Sequence, residues 1–213
     1  MGSTAERGAA APGCEVTALV IAHEILGLNA HIERMRDRFA RYSCDVHTPA
    51  LFEDPTRRFR HDEQRAAVGY LRRTGGVDAM AGRLIGVAES LRPRYRRVLA
   101  LGFSAGATAS WIAANSGVFD AVVCLYGSRI RDHLDLRPAC PCLSLFAAVE
   151  PGFSPRRVAA GLAGTRNVTA EVYDCGHGFC DKDNANHDGD AAEHALTRAA
   201  AFLGLAPVGS CPA

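Results

Sequence analysis

Ser104 lies in Gly102-Phe103-Ser104-Ala105-Gly106, where an apolar run from Val98 to Leu101 meets a small-residue, helix-friendly run reaching Ala114. A serine at the tip of a tight strand-to-helix turn has its Oγ lifted clear of the sheet edge, a placement that suits a nucleophile. Glycines fit on either side because side chains there would collide with the turn or with the packed helix. The helix behind Ser104 also turns its N-terminal amides and partial positive charge toward that spot. The five-residue pattern alone recurs by chance, and a glycine-rich turn with an incidental serine is the plain alternative. The strand before it and the helix after it carry the reading.

A serine hydroxyl is a poor nucleophile unless a base takes its proton. Ligands gather at the carboxyl ends of parallel strands, and the chain order on such a sheet is nucleophile, acid, histidine. The loop after the fifth predicted strand holds one carboxylate, Glu150, and the loop after the sixth holds His177 between Gly176 and Gly178. His177 is therefore expected to act as general base and then acid, with Glu150 fixing its tautomer. Asp174 and Asp181 flank His177 and compete for that orienting role. Charge developing on a carbonyl oxygen needs preset donors. The amide of Ala105, directly after the nucleophile, and that of Ile25, after the first strand, are the expected pair.

The elements that must position these groups alternate. Strands are predicted at 15–22, 45–51, 97–101, 119–126, after 141, and at 168–173. Helices are predicted at 31–42, 63–73, 77–91, behind Ser104, at 154–162 and at 191–203. The β-branched run before His23 reads as a parallel strand covered on both faces. Gly75-Gly76 breaks the second helical stretch from the third, and Pro138 and Pro141 hold the fifth strand to a start after 141. Alternating strands and helices imply a three-layer α/β fold, a mostly parallel sheet of about six to seven strands with helices on both faces and no cap domain.

At 213 residues the chain is expected to form one domain, 15–205, between an N-terminal lead-in, 1–14, and a C-terminal tail, 206–213. A net charge of +1 gives no argument for a nucleic-acid or anionic-membrane partner. No segment approaches the roughly 18–20 apolar residues that span a bilayer, and residues 1–13 carry no apolar core of a secretory signal. The expected location is the cytoplasm, with free thiols. The eight cysteines contain no C-x-x-C pair, and Cys140-Pro141-Cys142 is too tight for a zinc knuckle, so no metal is expected on their account. A monomer or homodimer is compatible with all of this.

His23-Glu24-Ile25-Leu26-Gly27-Leu28-Asn29, followed by a helix opening with His31-Ile32, resembles the H-E-I-F/W-G-L-N stretch of the dienelactone hydrolase family. Gly102 to Gly106, Tyr126-Gly127 and His177-Gly178-Phe179 fall in that family's order. The resemblance covers about 16–203 and implies an α/β-hydrolase fold and a cofactor-free hydrolase of small esters or lactones. It also implies a glutamate, matched by Glu24, that hydrogen-bonds the resting nucleophile. The chain departs from the family in carrying Ser104 where the best-known members have cysteine, and Glu150 where aspartate is usual. The hairpin that usually precedes the first core strand is also absent, which implies a smaller sheet. Family members acting on carboxylated lactones use arginines and a tyrosine near the site. Arg65 and Tyr70 lie in the corresponding helical region, and Phe103 is the remaining candidate for substrate contact. The leading expectation is a serine hydrolase forming an acyl-enzyme. A lyase or acyl-transfer enzyme using the same site, and a non-catalytic binding protein, are the rivals.

Overall fold

The computed structural model describes residues 16–209. Six strands form one sheet in the order β2-β1-β3-β4-β5-β6, and every neighbouring pair is parallel. They are β1 (Thr17–Ala22), β2 (Asp45–His47), β3 (Arg97–Phe103), β4 (Ala121–Leu125), β5 (Cys142–Val149) and β6 (Val168–Gly176). The helices are α1 (Ala30–Phe39), α2 (Gln64–Arg73), α3 (Gly76–Leu91), α4 (Ala105–Ala113), α5 (Pro155–Leu162) and α6 (Gly189–Phe202). Ser154 and Asp188 cap α5 and α6 through their side chains, as short oxygen-bearing residues do. The second strand is shorter than its sequence suggested, because Pro49 has no N–H to extend the ladder.

Strand alternation sorts the core into two unlike halves. Ala18, Val20, Ala22, Val98, Ala100, Val122 and Cys124 face the helices α2 to α5. Leu19, Ile21, Leu99, Leu101, Val123, Leu125, Leu143 and Leu145 face α1 and α6. The smaller residues on the first face let α4 approach the sheet backbone closely. Cys124 is a small buried hydrophobe on that face, and Cys14 and Cys211 lie outside the described residues.

The lead-in expected over 1–14 also falls outside the described residues, as do 210–213. Residues 206–208 do not begin a loose tail. Ser43 N–H donates to Ala206 O at 2.8 Å and Val208 N–H to Arg41 O at 2.8 Å, so this segment is tied to the turn after α1. Among the described residues no helix is long and apolar enough to cross a membrane.

Candidate active site

The turn at Ser104 has the geometry its glycines predict. Ser104 sits at φ 51°, ψ −111°, a backbone region that L-residues seldom occupy and that the surrounding structure must enforce. The enforcement is visible. Ser104 N–H donates to Leu125 O at 3.0 Å, and Thr108 N–H donates to Ser104 O at 3.1 Å as the first helical bond of α4. A Cβ on Gly102 would lie 2.6 Å from Ser110 Oγ and closer still to the Gly106 carbonyl. A Cβ on Gly106 would lie 2.5 Å from His23 O and press harder on Ala22 O. The two glycines thus do different work. One lets the turn fold back on its own helix, and the other lets that helix seat against the end of β1.

Ser104 Oγ lies 2.8 Å from His177 Nε2, and His177 Nδ1 lies 2.5 Å from Glu150 Oε1. The carboxylate accepts from Nδ1–H, which leaves Nε2 as the acceptor for the serine hydroxyl. A register shift between Ala147 and Val149 at the end of β5 pairs Val149 with Gly176. That places Glu150, 6% exposed at its side chain, under the imidazole. Of the competing carboxylates, Asp174 is 86% exposed and bound to Arg156. Asp181 is fully buried and is held by Arg34 and His61. Among the described residues, the His177 ring bonds Ser104 and Glu150 rather than either of these.

The histidine loop is built from small turns. Gly178 at φ 83° has no room for a Cβ beside the Asn184 amide, and one on Gly176 would strike Asn186 Cγ at 2.6 Å. Asn186 Nδ2–H donates to His177 O at 3.0 Å. Beneath the ring, Tyr126 meets His177 edge-on at 5.2 Å and Phe179 at 5.4 Å, so buried aromatics fix the plane of the imidazole.

The loop after β1 is also internally braced. His23 is buried; its Nδ1–H donates to Glu24 O at 2.7 Å, while Nε2 accepts from Leu51 N–H at 2.9 Å. Burial holds its pKa down at about 4. Gly27 N–H donates to Glu24 O at 3.2 Å, and Phe59 N–H to Leu26 O at 3.0 Å. Among the described residues, the amides of Ile25 and Ala105 show no backbone acceptor; Ala105 opens α4, where the first N–H groups have no intrahelical partner.

Three expectations need correction. The Glu24 carboxylate does not bind the nucleophile: Oε1 accepts from Asn29 Nδ2–H at 2.9 Å, and Ser104 Oγ is engaged by His177. Burial, followed by the neighbouring Asp181, raises its pKa, although the Asn29 bond opposes this. Phe103 is fully buried and packs edge-on against His31 at 4.7 Å on the α1 side of the sheet, so it does not line a substrate pocket. Tyr70 accepts from Asp54 N–H at 3.0 Å and packs on Phe52 at 5.3 Å, which makes it a brace for the 52–59 loop. Arg65 is exposed on α2, and a substrate contact there remains a proposal.

Sequence reasoning did not single out His23, Asn29, His61 or Asn186. The first two stand inside a recognisable motif at a strand end, which was an available signal. His61 acts through a partner 120 residues away, and Asn186 through His177 nine residues back in an irregular loop, and neither left one.

Comparisons with known proteins bear on the family and the fold. A Bacillus subtilis (strain 168) protein, "Uncharacterized protein YczH", is 34% identical over 170 residues, covering 78% of this chain and 82% of that protein. A crystal structure from Klebsiella pneumoniae subsp. pneumoniae MGH 78578, provisionally named a dienelactone hydrolase, superposes with a TM-score of 0.72 at 22% identity, covering 93% of this chain and 90% of that one. "Dienelactone Hydrolase-like Promiscuous Phospotriesterase P91", from metagenomic libraries, superposes with a TM-score of 0.69 at 16% identity, covering 91% and 87%. At those identities the two structures establish an α/β-hydrolase-type fold. With the dienelactone hydrolase family model matching residues 7–206, nearly the whole length that carries the serine turn, the histidine loop and the braced loop after β1, the chain belongs to the dienelactone hydrolase family.

Proposed function

We propose that this hydrolase cleaves a small ester or lactone through an acyl-enzyme on Ser104, with His177 and Glu150 completing a catalytic triad. One observation carries the reading: a hydroxyl on a strained turn within 2.8 Å of an imidazole nitrogen whose other nitrogen is held by a buried carboxylate. As Oγ attacks the carbonyl carbon, its proton passes to Nε2, and Glu150 stabilises the imidazolium that forms. The carbonyl oxygen becomes an oxyanion and accepts from the Ile25 and Ala105 amides. Each such donor is worth ~10²–10³ in rate. The imidazolium then protonates the leaving alkoxide, which for a lactone remains tethered to the acyl group. Water, deprotonated by the same imidazole, releases the acid and restores Ser104.

Glu24 has no direct part in this cycle. A cysteine nucleophile has a thiolate state to be managed, whereas a serine has none near neutral pH. The carboxylate is instead given to bracing the loop that carries Ile25.

Stopped-flow hydrolysis of a p-nitrophenyl ester tests the proposal. The expected result is a burst of one equivalent of p-nitrophenol per chain, and a fluorophosphonate adduct on Ser104, both lost in Ser104→Ala. Substantial turnover in Ser104→Ala together with loss in His177→Ala would refute it in favour of proton abstraction by histidine.

A further inference from the structure

Beside the proposed triad lies a second group of polar side chains that the hydrolytic cycle does not use. One ligand atom from each of Glu24, His61 and Asp181 can be chosen so that all three lie within 4.8 Å of one another. Glu24 and Asp181 are buried, at 6% and 0% exposure, while the His61 side chain is 33% exposed and opens the group to solvent. His61 Nε2 lies 2.7 Å from Asp181 Oδ2. Asp181 Oδ1 accepts from Arg34 at 2.9 Å, and Glu24 commits only Oε1, to Asn29.

A second observation is independent of the acids. His31 is fully buried, and neither of its ring nitrogens has a hydrogen-bond partner. Its Nδ1 lies 3.7 Å from Asp181 Oδ1. An imidazole buried with both nitrogens idle is costly unless something nearby uses them. Here it lies beside the buried carboxylate of Asp181 and near Asp183, both of which Arg34 faces.

We infer that Glu24, His61 and Asp181 form a binding site for a divalent transition metal ion of the zinc class, with His31 as a buried reserve ligand. Two carboxylates and an imidazole are a mixed oxygen and nitrogen set of the kind that zinc accepts with three protein ligands and a water. Tetrahedral bonds of ~2.0–2.2 Å place ligand atoms ~3.3–3.6 Å apart, so His61 must draw back slightly from Asp181. It stands on a short exposed turn, His61–Glu63, that can allow this. Binding also requires His61 to move its Nε2 proton to Nδ1, or to release it. The ion would join three segments: the loop carrying Ile25, the turn at His61, and the loop that follows His177.

The test uses the full chain, stripped with a chelator and titrated first with Zn²⁺ and then with Co²⁺. One Co²⁺ per chain is expected, with visible d–d bands and without the near-ultraviolet sulfur-to-cobalt charge transfer that cysteine ligation would add. Zn²⁺ should raise the thermal midpoint of the wild type. His61→Ala, a change at a partly exposed side chain, and Glu24→Gln should each weaken Co²⁺ at least tenfold and remove the Zn²⁺ shift. Ser104→Ala should bind Co²⁺ like the wild type, which separates this site from the hydrolytic reading. Absence of stoichiometric binding, a thiolate charge-transfer band, or equal affinity in His61→Ala would overturn the inference.

Discussion

Acid should unfold this protein through His23, and the size of the effect follows from the burial of its ring. The ring is fixed as the Nδ1–H tautomer between Glu24 O and Leu51 N–H. Burial penalises the charged ring, the bond to Glu24 O opposes this only in part and Arg58 adds to it, so the pKa falls from 6.5 to about 4. The unfolded chain binds that proton near pH 6.5, so below this pH the unfolded state holds more protons and stability falls with falling pH. The loss is about 2 kcal/mol by pH 5 and about 3 kcal/mol by pH 4, a large part of a typical stability of roughly 5–15 kcal/mol. Glu24 acts in the opposite sense: its raised pKa makes its contribution more favourable as pH falls toward the ordinary carboxylate range. His23→Asn separates the two. It keeps a donor for Glu24 O but not an acceptor for Leu51 N–H, at a pH-independent cost of about 1–3 kcal/mol. Urea unfolding from pH 7 to pH 4 should therefore give two curves that converge as pH falls, closing by about 3 kcal/mol, with the Glu24 effect cancelling in the difference. Parallel curves would refute the assignment of His23 as a neutral, doubly bonded brace.

Glu150→Gln should lower kcat for a p-nitrophenyl ester by about 10⁴ with little change in KM, because the amide no longer fixes the Nδ1–H tautomer; steady-state kinetics check this. Gly106→Ala should destabilise by at least about 3 kcal/mol in urea unfolding, since its Cβ would press on two backbone carbonyls that cannot rotate away. Gly82→Ala is its opposite: the position is exposed within α3 with nothing within 4 Å of a Cβ, and a gain of about 0.5–1 kcal/mol is expected. Asp188→Ala removes the bond to Ala191 N–H that starts α6; it should cost about 1 kcal/mol, read from the same unfolding curves.

What sequence reading reached was local, or followed from chain order. The serine turn was legible because its glycines, strand and helix are contiguous, and His177 and Glu150 because loops at strand ends meet at one edge of a parallel sheet. The parity of Phe103 was also legible in principle: it follows Leu99 and Leu101 at two-residue spacing, and those residues face α1 and α6. The position of Arg65 carried no such signal, since arginines are frequent all along the chain. The Glu24, His61 and Asp181 group was beyond reach for a different reason. His61 and Asp181 are 120 residues apart, and their bond depends on how an irregular connection drapes over the rim, which no hydrophobic period encodes.

The substitution of serine for cysteine and the posture of Glu24 explain each other. Were Glu24 to hold the resting hydroxyl, it would compete with His177 Nε2 for the hydroxyl proton, and the proposed triad would start from an unreactive arrangement. Turned to Asn29 instead, the carboxylate closes the turn from Glu24 to Asn29, and Asn29 in turn caps α1 through Ile32 N–H at 3.2 Å. The Ile25 amide thus sits between a braced histidine on one side and a capped helix on the other. A donor meant for an oxyanion must not have to reorganise when charge appears, and this loop is tied at both ends before any substrate arrives.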